Sequence, residues 1–291
     1  MIGPLRAVAT PAARLGLVRA MVGGYTLYYL ARRRKMLREV VRTDPAMFSP
    51  VGPVRVLREP LSAPVADKLN DATLVSTALF TLGAGHRLLG PVHSALVAWT
   101  LSYRNSWSMV FHNDNTLVLH TLALGVSRAS DAVSVDALVT GRRPDPHPRY
   151  GWPLTLMNAF STATYMLAGI AKVQGPSGWS WVHGDSMRRQ VAIDIVRKEV
   201  YGSEAPATAY TLYQHRALFT LFAAGSLVIE LFAPVGLLHR KLGKLWAVGA
   251  FGMHWGIRVI MGIRFRYQLS GVSFAAWFEV ERLLDLVRRA R

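Results

Sequence analysis

The feature that most constrains this chain is a succession of apolar runs, at 74–85, 92–101, 154–170, 218–238 and 245–263. Several of these runs reach or nearly reach the ~20 residues that a helix needs to cross a hydrocarbon core of about 30 Å. The connecting loops are too short to cover so much apolar surface in water, which argues against a soluble all-helical core. The expected fold is all-α, a polytopic transmembrane helical bundle. Its roughly eight hydrophobic segments lie near 14–31, 71–86, 88–103, 107–126, 152–172, 216–238, 244–263 and 268–281, some of them short or re-entrant.

Composition supports this reading. The 291 residues are 51% hydrophobic and only 18% charged, yet the net charge is +17. In a soluble protein that charge would suggest nucleic acid, but no recognition motif is present and a nucleic-acid partner is not expected. The basic residues sit between and after the apolar runs, as in Arg32-Arg33-Arg34-Lys35, Arg240-Lys241 and Arg288-Arg289. There, Lys and Arg bind anionic lipid headgroups and set topology. The basic stretches at 32–43, at 239–244 and at the C-terminus cannot all lie on one side of eight full spans, which favours a re-entrant or interfacial segment. Cysteine is absent, so disulfides and thiolate chemistry are excluded. The first apolar run lacks a cleavage site and ends in four basic residues, as a retained span does.

The chain is expected to be one domain over 1–291, placed as a multi-pass protein of the plasma membrane. Residues 32–70 form a basic interfacial segment with an amphipathic helix around 33–41. Residues 173–214 form an extramembrane loop with a polar helix near 187–201. Trp179 and Trp181 of that loop suit a membrane–water interface.

Ionisable residues inside the apolar runs are the candidates for function, because each costs at least ~2.5–3.5 kcal/mol at membrane depth and usually has a partner or a task. Lys172 ends one run, either as a snorkelling helix-end residue or as a desolvated general base. Glu230 lies deep in another and needs a cation or a proton. His254 and Arg258 are one helical turn apart, which makes them either an interhelical hydrogen-bonder with a neighbour or part of a site. His112, Asn113, Asp114 and Asn115, with His120 further on, interrupt a fourth run and read as a cap between two spans or as a site. Arg19, in the first span, is an interfacial anchor or the partner of a carboxylate such as Glu230. No spacing among these residues matches a zinc or di-iron pattern, and no metal is expected.

Several of these residues stand in an order that resembles a known family. The run Tyr165-Met166-Leu167-Ala168-Gly169-Ile170-Ala171-Lys172, followed by Trp181-Val182-His183-Gly184, resembles the vitamin K-dependent gamma-glutamyl carboxylases and their bacterial relatives, which share the horizontally transferred transmembrane (HTTM) domain. Residues 105–115 leading to Ser134-Val135-Asp136, Glu230 with Pro234, Phe251 with His254, and Arg19 match the family's order over about 15–280. The resemblance implies a lyase-type enzyme that uses a reduced quinone (menaquinol or vitamin K hydroquinone) and oxygen to carboxylate a peptide or other substrate. Lys172 would stand where the family has its base. His112 and His254 would be catalytic, and Asn113, Asn115, Glu230, Arg258 and Trp181 would bind the quinone. The family's histidine falls at His112 or, one residue on, at Asn113. The eukaryotic enzyme continues into a large extramembrane domain, so this chain would take a different substrate or work with a separate partner chain, as in maturing a secreted peptide. The alternative is a non-catalytic membrane subunit that binds quinone, lipid or a partner protein.

Overall fold

A computed structural model describes residues 8–107 and 112–284. The described chain is all-α, with no strand beyond one isolated bridge between Thr10 and His147. It divides into two compact units, one of residues 8–157 with 278–284 and the other of residues 158–277.

The first unit begins with α1 (Ala12–Val40), α2 (Ala63–Leu82), α3 (His86–Asn105) and α4 (His112–Gly125), in which each helix packs against the next. Short α5 (Val135–Thr140) follows, and α6 (Pro148–Gln174) starts in this unit and continues into the second. The second unit then holds α7 (Asp185–Val200), α8 (Ala207–Tyr213), α9 (Arg216–Leu231), α10 (Arg240–Met261) and α11 (Arg266–Leu269). The polar helix expected near 187–201 is α7.

Two expectations are corrected. No separate interfacial helix forms around 33–41. Those residues are the last turns of α1, because nothing breaks the helix between the apolar run and the charged one, and Leu37 is still buried. The apolar segment 268–281 is not one helix either. It breaks into α11 and a 3-10 turn at Val272–Trp277, with Gly271 between them at φ 76°, a backbone angle that ends a helix.

Polar side chains share the interior with an apolar core that includes Leu15, Val18, Val22, Phe80, Leu117 and Leu124. The interior of the first unit holds Arg19, Thr26, Thr73, Thr77, His86, His93, Thr100, Asp114 and His120. On the outside, Val75, Leu88, Val92 and Val126 are more than half exposed. The second unit repeats the pattern with outward Leu167, Leu221, Val228, Leu245 and Val248. Polar pairs tie helix to helix: Thr73 to Thr100 at 2.8 Å, Ser76 to His93 at 3.2 Å, and Ser94, which donates to the Thr121 carbonyl at 2.6 Å. Where α3 crosses α4, Gly90 and Gly125 face each other so closely that a Cβ on either would strike the other's carbonyl. Small residues and interhelical hydrogen bonds are how helices associate when no hydrophobic force acts between them. α6 is long and apolar enough to cross a membrane.

Candidate functional site

The second unit brings together most of the residues that the sequence marks as chemically interesting. α6 carries Tyr165, Gly169 and Lys172 at i, i+4 and i+7, so all three lie on one face. Gly169 makes the helix contact possible: a Cβ there would sit 3.0 Å from the Glu230 Cβ and 2.9 Å from a Leu231 methyl. This close approach brings the last turns of α6 and α9 together, and Lys172 Nζ donates to both carboxylate oxygens of Glu230. The Glu230 side chain is 7% exposed and that of Lys172 is 25% exposed. Lys172 therefore has a partner and is not simply a snorkelling end residue.

Trp181, in the 3-10 turn Gly178–His183, places its ring 5.6 Å from Lys172 Nζ, within cation–π range. Its indole Nε1 is buried, with no hydrogen-bond acceptor among the described residues.

About two helical turns back along α6, Tyr165 Oη lies 3.3 Å from His254 Nδ1, which is also 2.9 Å from the Ala250 carbonyl. The His254 ring meets Phe265 edge-on at 5.1 Å, and Tyr165 meets Trp246 edge-on at 5.1 Å. Trp246 is held by its own bond, Nε1 to the Ile229 carbonyl at 2.9 Å. Arg258 does not join this cluster. It is exposed and lies over the Trp255 ring at 4.8 Å, while His254 points inward. Tyr165 is the residue that sequence reasoning missed. Its signal was available, since it stands two turns before Lys172 on the same helical face.

The remaining candidates fall in the first unit, as a separate network. Asp114 accepts from Tyr29 Oη at 2.8 Å and from Arg104 at 2.9 Å, and Arg33 donates to the same tyrosine oxygen at 2.7 Å. Asn115 is exposed, and the side chains of His112 and Asn113 lie outside the described residues. His120 is fully buried against the Met157 carbonyl at 3.2 Å. Arg19 does not use a carboxylate as its hydrogen-bond partner. Its guanidinium donates to the carbonyls of Ala129 (3.1 Å), Phe80, Thr81 (2.6 Å) and Val133 (2.6 Å), tying the end of α2 to the 129–133 turn.

Ser134 and Asp136, the Ser-x-Asp of the sequence, are helix caps. Ser134 Oγ accepts from the Ala137 amide at 2.9 Å and starts α5. Asp136 accepts from the Gly85 and His86 amides at 2.7 and 3.0 Å and caps α3. Burial works against the Asp136 carboxylate, but those two amides and the neighbouring Ser130 outweigh it and hold its pKa below the usual range.

No family model matches this chain, and no curated protein or solved structure matches it either. What the fold and site define is a class: an all-helical protein with, among the described residues, one helix long and apolar enough to cross a membrane and a lysine–glutamate pair at that helix's end.

Proposed function

We propose that this chain is a multi-pass membrane protein whose 158–277 unit binds a reduced quinone and uses the Lys172–Glu230 pair as its proton acceptor, in the manner of the vitamin K-dependent carboxylases it resembles. Apolar residues on the outside of helices that also bury ionisable and hydroxyl side chains support the membrane part. Among the described residues α6 alone has both the length and the apolar content of a span; α4 and α9 are shorter, at 14 and 16 residues, and α3 carries His86, His93, Ser94 and Arg104 on its buried face, which lowers its mean hydropathy.

The observation that carries the chemical part is Lys172. It contacts a buried carboxylate, remains a quarter exposed, and stands beside an aromatic ring with an unused N–H donor. These residues fit an aromatic diol. A quinol that displaced the packing around Trp181 would meet its buried Nε1–H as a donor to a ring oxygen, and Lys172 with Glu230 would offer a place for a hydroxyl proton. When bound, a reduced quinone supplies the electrons for oxygen chemistry. The chain's own task is to position it, accept its proton and exclude water, so that a weak base acts as a stronger one. The substrate of the second half-reaction belongs to the same proposal, as a peptide glutamate or another carbon acid presented by a separate chain.

A second reading, a non-catalytic membrane subunit, is favoured by one observation: both Glu230 oxygens already accept from the same ammonium, as in a structural ion pair. The two readings separate in one experiment. Purified protein is supplied with menaquinol, oxygen and bicarbonate, and quinone epoxide is measured. The enzyme reading expects epoxide from wild type and none from Lys172→Ala, which still inserts. Absence of epoxide from the wild type in native membranes, with or without candidate peptides, sinks the enzyme and leaves the subunit.

A further inference from the structure

The first unit carries a second feature that neither the ion pair nor the quinone reading uses. Five arginines (Arg87, Arg128, Arg142, Arg143 and Arg149) line one cleft of about 260 Å³, and Asp131 is the sole acidic residue among its walls. They come from separate parts of the chain: the start of α3, the turn after α4, the loop after α5 and the start of α6. The fold, and not a single charged run, has gathered them.

The nearby carboxylates do not neutralise this charge. Asp131 accepts from Tyr150 Oη at 2.8 Å and lies 4.0 Å from Arg149, whose guanidinium also rests over the Tyr150 ring at 4.8 Å. Asp136 is committed to the backbone amides of Gly85 and His86. Arg87, Arg128, Arg142 and Arg143 have no ion-pair partner among the described residues, and all four are exposed. The basic run at the end of α1 is different: Arg34 and Arg38 pair with Asp71, and Arg42 with Asp67. Four like charges held around a small cleft repel one another unless an anion sits among them, and guanidinium forks match phosphate oxygens in pairs.

We propose that this cleft is a binding site for a phosphate-bearing anion, and that the anion is the headgroup of an acidic phospholipid. The lipid source is argued from an adjoining cleft of about 360 Å³, which shares Arg87, Asp131 and Arg142 and adds Asp136, whose carboxylate is taken up by backbone amides, together with Leu88 and Val139, both 81% exposed. Leu88 continues along α3 to Val92, and Val126 flanks it at the end of α4, each more than half exposed. A headgroup among the arginines would thus leave its acyl chains beside an apolar surface. The lipid source rests on the membrane reading above, whereas the phosphate chemistry does not.

The test uses the full chain purified in neutral detergent, with three probes: phosphatidylglycerol, phosphatidylcholine and inorganic pyrophosphate. Retention of lipid is read by native mass spectrometry, and affinity by titration at low and moderate salt. The expected result is binding of phosphatidylglycerol but not phosphatidylcholine, weakened about tenfold or more in Arg87→Gln/Arg142→Gln/Arg143→Gln and by added salt. The corresponding triple Lys variant keeps the charge and checks folding; it should retain part of the affinity. Pyrophosphate binding with the same arginine dependence and no lipid binding supports the phosphate site and overturns the lipid source. Equal phosphatidylglycerol binding by wild type and the Gln variant, or no binding of any anion by wild type, overturns the proposal. None of these outcomes depends on quinone epoxidation, so the two proposals fail separately.

Discussion

Breaking the Lys172–Glu230 pair from each side gives asymmetric losses, and the asymmetry follows from the burial of the two partners. Lys172→Met leaves a carboxylate that is 7% exposed with no cation, and removing one partner of a buried pair costs about 3–5 kcal/mol. Lys172 is 25% exposed, so part of its interaction is already screened by its surroundings and the lower end, about 3 kcal/mol, is expected. Glu230→Gln leaves an ammonium that can turn toward the open side, at a cost of about 1–2 kcal/mol. Lys172→Met with Glu230→Leu replaces both charges by apolar groups of similar size and should fall within about 1 kcal/mol of wild type. The double variant is therefore more stable than Lys172→Met alone, by about 2–3 kcal/mol. Thermal unfolding in detergent, followed by tryptophan fluorescence, should show Lys172→Met melting about 5 °C lower and the double variant within about 2 °C of wild type. Additive losses, with the double variant the least stable of the three, would refute the pairing.

Two further outcomes follow from the first unit. Arg19→Lys should lose about 3 kcal/mol, measured from the shift in denaturant midpoint, because one ammonium cannot reach four carbonyls that a guanidinium fork satisfies together. A wild-type-like midpoint would mean that the carbonyl cage is not holding α2. Asp136→Asn weakens the cap on α3 by about 1 kcal/mol at neutral pH. Because the folded pKa of Asp136 is depressed, its contribution is fully present above the ordinary aspartate range of about 4 and is lost as pH falls through the folded value. Unfolding midpoints measured from pH 7 to 3 should fall less steeply in Asp136→Asn than in wild type, and parallel curves would contradict the depressed pKa.

The sequence made the ionisable residues visible but not their partners. Glu230 stood out because it interrupts an apolar run, yet its cation lies 58 residues earlier, and only the close approach at Gly169 selects Lys172 over Arg19. The partners of Arg19 were invisible for another reason: backbone carbonyls are the same at every residue, and no pattern of side chains marks a carbonyl cage. The apolar count misled at 268–281, where composition suits a helix but the glycine at 271 turns the chain. It also missed the continuity of α1, because hydropathy falls at Arg32 although the backbone has no reason to stop there. His254 and Arg258 show the limit of the i, i+4 rule, since residues that share a helix face broadly still divide between interior and surface when the face is narrow.

Each unit pairs a buried carboxylate with a cation, Asp114 with Arg104 in the first and Glu230 with Lys172 and Asp194 with Lys198 in the second, and the contrast between Arg104–Asp114 and Lys172–Glu230 bears on which is suited to chemistry. Arg104 and Asp114 are 7% and 3% exposed, with Tyr29 closing the carboxylate's other side. An arginine does not give up its proton at any working pH, and a sealed pair admits no ligand. That pair ties α1, α3 and α4 together, and its task is structural. Lys172 differs on the second count. Its side chain is a quarter exposed, and it lies over the ring of Trp181, whose indole N–H has no acceptor among the described residues. A pair retained only for stability has no need of an open side or of an unused donor, since apolar residues would pack the same space at no greater cost. For this reason Lys172, and not the more deeply buried arginine pair, is the residue on which the enzyme reading stands or falls.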